Sequence, residues 1–208
     1  METEEQKFTK LRQDCWDNSL HSFGTSYIFN KRAVRYSGQL TFLKIFGIVV
    51  PVTVGATASG YGFDSALLKS TVAISIPLSI VQVIYSIFAF GYKWDDNLAY
   101  AYESVIDHNN LSEEFKKLAK RPPSNYSEFH HDFSILDTKL KSRVEQDAKH
   151  SLTERELRMG MRFALREFKR PCYGCKHIPI SMNSTTCPVC GKFKRNVIQQ
   201  IFNYGWTS

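Results

Sequence analysis

Apolar residues along this chain gather in two uncharged runs. Ile45 to Phe63 carries no charge for nineteen residues, and Ser70 to Tyr92 carries none for twenty-three. About twenty apolar residues cross a bilayer as a helix, so each run is long enough to span one. The first lies in LTFLKIFGIVVPVTVGATASGYGF, where Lys44 can snorkel to the interface from its place near the start. The second, STVAISIPLSIVQVIYSIFAFGY, is closed by Tyr92 and Trp94, residues that favour the membrane–water boundary. The connection SGYGFDSALLK is short and Gly-rich, which predicts a helical hairpin. Pro51 and Pro77 each fall inside a span and are expected to kink it, as lipid-embedded helices tolerate. Gly55 and Ser59 form a small-xxx-small pair, expected to let the two helices approach closely. The alternative is a pair of core helices in a soluble protein. That requires apolar surface elsewhere to wrap both, and the rest of the chain is mostly amphipathic and charged.

Outside the runs the spacing predicts amphipathic helices. Residues 1–39 place Phe8, Leu11, Trp16, Leu20 and Phe23 at scattered helical positions and end in the basic cluster Lys31, Arg32 and Arg35. Beyond the second run, Leu98, Tyr102, Val105 and Ile106 repeat at helical spacing. Ser112 then reads as the cap of a new short helix, EEFKKLAK, stopped by Pro122-Pro123. Phe129, Phe133, Leu136, Leu140 and Val144 follow steps of 4, 3, 4 and 4. Thr153-x-x-Glu156 is a capping box opening a further helix, with Leu157, Met161, Ala164, Leu165 and Phe168 on one face. The expected fold class is therefore an all-α membrane protein in four segments. These are an N-terminal helix (1–39), a two-span hairpin (40–92), a cytoplasmic helical region (93–168) and a small metal-bound tail (169–208).

Composition changes this picture little. The 208 residues are 43% hydrophobic and 23% charged, with mean hydropathy -0.29, averages that hide the two runs. The polar, acidic start METEEQKFTK gives no sign of a secretory signal peptide. Basic residues set the expected orientation. Lys31, Arg32 and Arg35 precede the hairpin, and the region from Lys93 holds nineteen Lys and Arg against fourteen Asp and Glu. The connecting turn carries only Lys69, opposed by Asp64. Both termini should be cytoplasmic, with the turn outside. The formal net charge of +7 suits anionic lipid or nucleic acid and selects neither.

Within the second run, Thr71, Ser75, Ser79, Gln82 and Ser86 fall at steps of 4, 4, 3 and 4, which places all five on one helix face. Small polar side chains pack helix against helix in lipid, and they also line water paths when several copies assemble. One hairpin cannot enclose a pore, so the second reading requires a homo-oligomer.

The strongest chemical signal is RPCYGCKHIPISMNSTTCPVCGK. Cys172-x2-Cys175 and Cys187-x2-Cys190 stand eleven residues apart, and four thiolates make a closed tetrahedral zinc site, structural and not catalytic. Iron held as in rubredoxin is the chemical alternative. Gly174 and Gly191 permit the tight turns such a clip needs, and the spacer is long enough for a hairpin, so a zinc ribbon is expected. His177 is a spare donor, and Cys15 has no assigned role. Lys192, Lys194 and Arg195, with Phe193, Phe202, Tyr204 and Trp206, suit either docking to protein or contact with nucleic acid. No P-loop, nucleophile elbow or His-Glu-x-x-His is present, so no enzyme activity is expected.

A basic N-terminal helix, a two-span hairpin and a helical extension together resemble the SLATT group, small bacterial two-transmembrane effectors found beside nucleotide-sensing or nucleotide-making defence genes. The tail is similar to a subset described by its CxxCx(11)CxxC motif and its association with mobile elements, here Cys172, Cys175, Cys187 and Cys190. The resemblance implies an anti-phage effector. It would oligomerise or open in the inner membrane on a signal from an upstream nucleotide-signalling or sensor partner, depolarise the cell and stop phage replication. The competing expectation is a membrane-tethered module whose zinc ribbon holds protein or nucleic acid.

Overall fold

The computed structural model describes residues 3–62 and 64–193. Among these residues five α-helices follow in order: α1 (Glu4–Tyr61), α2 (Ala66–Gly91), α3 (Trp94–Lys120), α4 (Tyr126–Asp147) and α5 (Glu154–Glu167), with a 3₁₀ turn at Ala148–His150. No strand occurs among the described residues. The chain divides into two compact units, one of residues 1–30 with 103–208 and one of residues 31–102, and both α1 and α3 contribute to each.

In the 31–102 unit, Gly62 takes the left-handed conformation (φ +78°) and Ser65 caps α2, its hydroxyl accepting from the Leu68 amide at 3.1 Å. The apolar stretch of α1 and all of α2 are long and apolar enough to cross a membrane, and little of either is buried. Phe42 packs edge-on against Tyr85, and Tyr85 against Trp94. The close approach falls at Gly47, where an added Cβ would lie 3.0 Å from Nε2 of Gln82. Gly55 and Ser59 do not serve this contact as expected. Both are exposed, and a Cβ on Gly55 would meet nothing within 4 Å. The small pair lies on an outward face of α1, a quarter-turn question that spacing alone does not answer. Pro51 and Pro77 stand inside unbroken helices.

The other unit has a core of two clusters. Leu11 and Cys15 of α1 pack with Phe115 and Ala119 of α3 and Phe129 of α4, ringed by Phe8, Trp16, Phe133, Leu136 and Leu140. Burial, and secondarily the Asp14 carboxylate, pushes the Cys15 thiol up to about 12, so it is an inert core thiol. Serines clasp α1 to α3: the Ser19 hydroxyl donates to the Ser112 carbonyl and the Ser112 hydroxyl to the Ser19 carbonyl, each at 2.8 Å.

That clasp corrects the reading of Ser112 as a helix start. Helix α3 runs straight through it, because the side chain that would cap a helix is spent on α1. The expected apolar face of α3 is corrected too. Tyr102 and Ile106 are exposed, whereas Ala101, Ser104, His108, Leu111, Phe115 and Ala119 are buried. Small and polar side chains are buried here because α4 supplies their partners. Asp147 lies 2.6 Å from Nε2 of His108 and accepts from the Ser104 hydroxyl at 3.1 Å. It also faces the buried Arg143 guanidinium at 3.3 Å, and Arg143 reaches out to Asp107 and Glu103. Removing one partner of a buried pair strands the other charge at a cost of roughly 3–5 kcal/mol. Arg143→Gln should therefore lower stability by about 3 kcal/mol, read as a fall in the thermal midpoint of the detergent-solubilised chain. Val144→Gln, at an exposed position on the same helix, should leave that midpoint unchanged.

Helix α5 opens with the expected capping box, Thr153 accepting from the Glu156 amide and Glu156 accepting from the Thr153 amide. It closes at Lys169 in the left-handed conformation (φ +50°), with the Arg170 amide donating back to the Leu165 carbonyl at 3.0 Å. Where α5 crosses α1, backbone meets backbone: a Cβ on Gly160 would lie 2.6 Å from the Gly24 carbonyl oxygen.

Candidate metal centre

Two turns carry the four cysteines. In the first, the Lys176 amide donates to the Cys172 carbonyl at 2.7 Å and the Cys172 amide to the His177 carbonyl at 3.0 Å. In the second, the Lys192 amide donates to the Thr185 carbonyl at 2.7 Å and the Phe193 amide to the Ser184 hydroxyl at 2.9 Å. Lys176 (φ +59°) and Lys192 (φ +54°) both turn the chain through the left-handed region just past their cysteine pair. The glycines are there for space. A Cβ on Gly174 would lie 2.8 Å from Val189 and 3.3 Å from the Cys187 sulfur, and one on Gly191 would lie 2.5 Å from the Thr185 carbonyl oxygen. The clip is thus two facing turns joined by an irregular spacer. The ribbon expected from the spacer length is not formed, because no strand pairing occurs between the turns among the described residues.

The four sulfurs all lie within 4.8 Å of one another. Cys172 and Cys187 are 3.9 Å apart, and Cys175 and Cys190 are 3.8 Å apart. Thiolates bound tetrahedrally at ~2.3 Å have edges of about 3.8 Å, so the donor set fits a metal ion that prefers sulfur. Cys172 and Cys190 are fully buried, Cys187 nearly so, and Cys175 is half-buried. With the thiols metal-free, burial works to raise Cys187, but amides of Cys190 and Val189 and the neighbouring thiols outweigh it and bring it down to about 7. Cys190 is pushed far up, first by burial and then by the other sulfurs. His177, the spare donor, is exposed and turns Nδ1 to the Cys175 carbonyl at 2.5 Å, away from the sulfurs.

The cysteines are part of the core and not an appendage. Cys172, Cys187 and Cys190 are buried with Leu20 of α1 and Ala164 and Leu165 of α5, with Phe23, Met161 and Phe168 packed around them. The clip therefore docks on α5 and the start of α1, and Arg170 ties it to Asp17 of α1 at 2.6 Å. Sequence reasoning passed over two arginines that fix this docking. Arg155 donates from Nε to the Phe193 carbonyl at 2.6 Å, and Arg162, itself buried, donates from Nε to the Ser181 carbonyl at 2.7 Å. Their spacing of seven, with Arg162 beside Met161 and Leu165 on the core face, was the available signal. Lys194, Arg195, Phe202, Tyr204 and Trp206 lie outside the described residues.

The polar stripe of α2 has its own geometry. Thr71, Ser75, Ser79, Gln82 and Ser86 are half-buried, on the face that carries the buried Leu68 and Ala89 and meets α1 at Gly47. Each hydroxyl donates to the carbonyl four residues earlier: Thr71 to Leu67, Ser75 to Thr71, Ser79 to Ser75 and Ser86 to Gln82, at 2.7–2.9 Å. Each hydroxyl proton thus finds its acceptor within the helix.

Two membrane-length apolar helices and a four-cysteine cluster able to hold a metal ion define the class of helical protein to which this chain belongs. The chain belongs to the family of Mobilome CxxCx(11)CxxC proteins, whose model matches residues 12–193 and so takes in both apolar helices and all four cysteines. No curated protein and no solved structure matches it.

Proposed function

We propose that this chain is a bacterial membrane effector of a defence system. The apolar part of α1 and α2 cross the inner membrane as a hairpin with both ends cytoplasmic. Zinc in the four cysteines staples the cytoplasmic body, and several copies assemble and breach the membrane when a nucleotide or a sensor partner signals. The resemblance to the SLATT group supports this reading, and so does the association with mobile elements in the family's description. The observation that carries it is how the hairpin distributes its side chains. Ile48, Val52, Ile74, Val81, Ile87 and Phe90 are all more than half exposed, while the polar stripe faces inward. Burying apolar area is worth roughly 25 cal/mol per Å², so such a surface belongs in lipid. The stripe then offers a polar face that a rearranged oligomer can turn to water.

The tethered-module reading has one observation of its own. Tyr173 on the first turn of the clip and Ile178 and Ile180 in the spacer just after it stand exposed, and Lys176 lies over the Tyr173 ring at 4.4 Å. Buried cysteines in the core of the body favour a staple over a presented binding ribbon. Purified chain reconstituted into liposomes at rising protein density separates the two. The effector reading expects dye or potassium release that grows steeply with density and falls at least several-fold in Gln82→Leu, with insertion unchanged. Inserted protein that releases nothing at any density contradicts assembly by density alone and favours the tethered module.

A further inference from the structure

Arg162 reaches the sulfur cluster itself. Its Nη1 lies 3.8 Å from the Cys190 sulfur and 3.3 Å from the Cys190 carbonyl oxygen, while Nε holds the Ser181 carbonyl at 2.7 Å. The residue is 6% exposed. Among the described residues its partners are two carbonyls and a sulfur, with no carboxylate, unlike Arg143, which faces three. A buried guanidinium without a carboxylate is expensive unless another anion neutralises it. Four thiolates around one divalent ion carry a net charge of minus two, which is that anion.

We infer that Arg162 is the outer-shell cation of the metal centre, a positioning residue that offsets the thiolate charge and ties metal binding to the docking of α5. The inference rests on the reading that a divalent metal sits among the four cysteines. Arg162 acts at two places at once. Its Nη1 proton points toward the Cys190 thiolate, drawing off charge and shielding that sulfur from electrophiles. Its Nε fixes Ser181, in the middle of the spacer, so the two cysteine turns are held at one separation by a side chain from α5. Outer-shell partners of metal ligands are worth about 10–100-fold in metal affinity. Arg158, on the same helix, pairs with Glu154 one turn earlier and supplies the control.

The test uses the full chain in detergent, with zinc content, zinc competition against a chromophoric chelator, and the charge-transfer spectrum of the cobalt-substituted protein. Wild type should hold one zinc per chain. An absence of zinc in wild type defeats the underlying reading, whatever Arg162 does. Given zinc in wild type, Arg162→Gln should weaken zinc binding 10–100-fold and make Cys190 the first thiol alkylated when zinc is limiting. Arg162→Lys should restore most of the affinity with a shifted cobalt band, and Arg158→Gln should stay within about twofold of wild type. Equal losses in Arg162→Lys and Arg162→Gln, or an Arg162→Gln protein that binds zinc as wild type does, overturns the inference. If Arg162→Gln fails to fold, the lysine variant alone decides: an unshifted cobalt band and unchanged alkylation order at Cys190 overturn it.

Discussion

Replacing Cys187 with serine, or stripping the metal with a chelator, will unfold far more than the clip. Structural zinc contributes roughly 10–16 kcal/mol of coupled folding free energy in small zinc-bound modules. In this chain the cysteines share a core with Leu20, Phe23, Met161, Ala164 and Leu165, so α5 loses the surface it packs on when the turns come apart. The Arg162 and Arg155 contacts to Ser181, Cys190 and Phe193 go with it. Hydrogen exchange should show α5 and the clip opening together in Cys187→Ser, with loss of bound metal and a loss of stability on the order of 10 kcal/mol relative to the loaded body. The amides of α2 should keep their protection. If only residues 171–193 open and α5 stays protected, the clip is an appendage after all.

The second large effect comes from a residue with no side chain. At the crossing of α1 and α5, Gly160 already sits with its Cβ position 2.6 Å from the Gly24 carbonyl oxygen and 2.8 Å from Ile28. Backbone cannot move aside as a side-chain tip can. Gly160→Ala should cost about 1–3 kcal/mol by overpacking. Gly160→Leu should force the helices apart and remove most of the body's stability, on the order of 5 kcal/mol. The matched comparison is Gly55→Ala, where a new Cβ meets nothing within 4 Å and helix propensity favours the change by up to ~1 kcal/mol. Thermal unfolding of the three variants should rank them Gly55→Ala highest and Gly160→Leu lowest. A Gly160→Leu protein as stable as wild type would mean α5 does not lie across Gly24.

These contrasts mark what the sequence could and could not tell. The two apolar runs, the capping box at Thr153 and the cysteine spacing were legible because each is a local pattern with one physical meaning. Ser112 misled because a serine that caps a helix and a serine that hydrogen-bonds across helices look alike until the partner, Ser19, is known. The buried face of α3 was misread for a related reason. Ser104 and His108 do not look like core, and they become core only because Asp147 arrives from α4. Gly55 and Gly47 are both glycines in one span, and which of them meets α2 depends on helix rotation, not on spacing. The clip's four clustered cysteines were readable, but their docking surface was not. Arg162 is a charged residue on an apolar face, and its meaning depends on sulfurs that follow it by ten residues or more.

Whether the hairpin lies across a bilayer with the metal-stapled body on the cytoplasmic side can be read by placing single cysteines. Ser65, the cap of α2 in the connecting turn, and Thr3, exposed before α1, are the two positions to compare in intact cells with a membrane-impermeant thiol reagent, against the parent chain as background. The account predicts that Ser65→Cys is labelled on intact cells and that Thr3→Cys is labelled only after lysis. Labelling of Thr3→Cys but not Ser65→Cys on intact cells would invert the topology, and protection of both until lysis would mean that α1 and α2 do not cross the membrane.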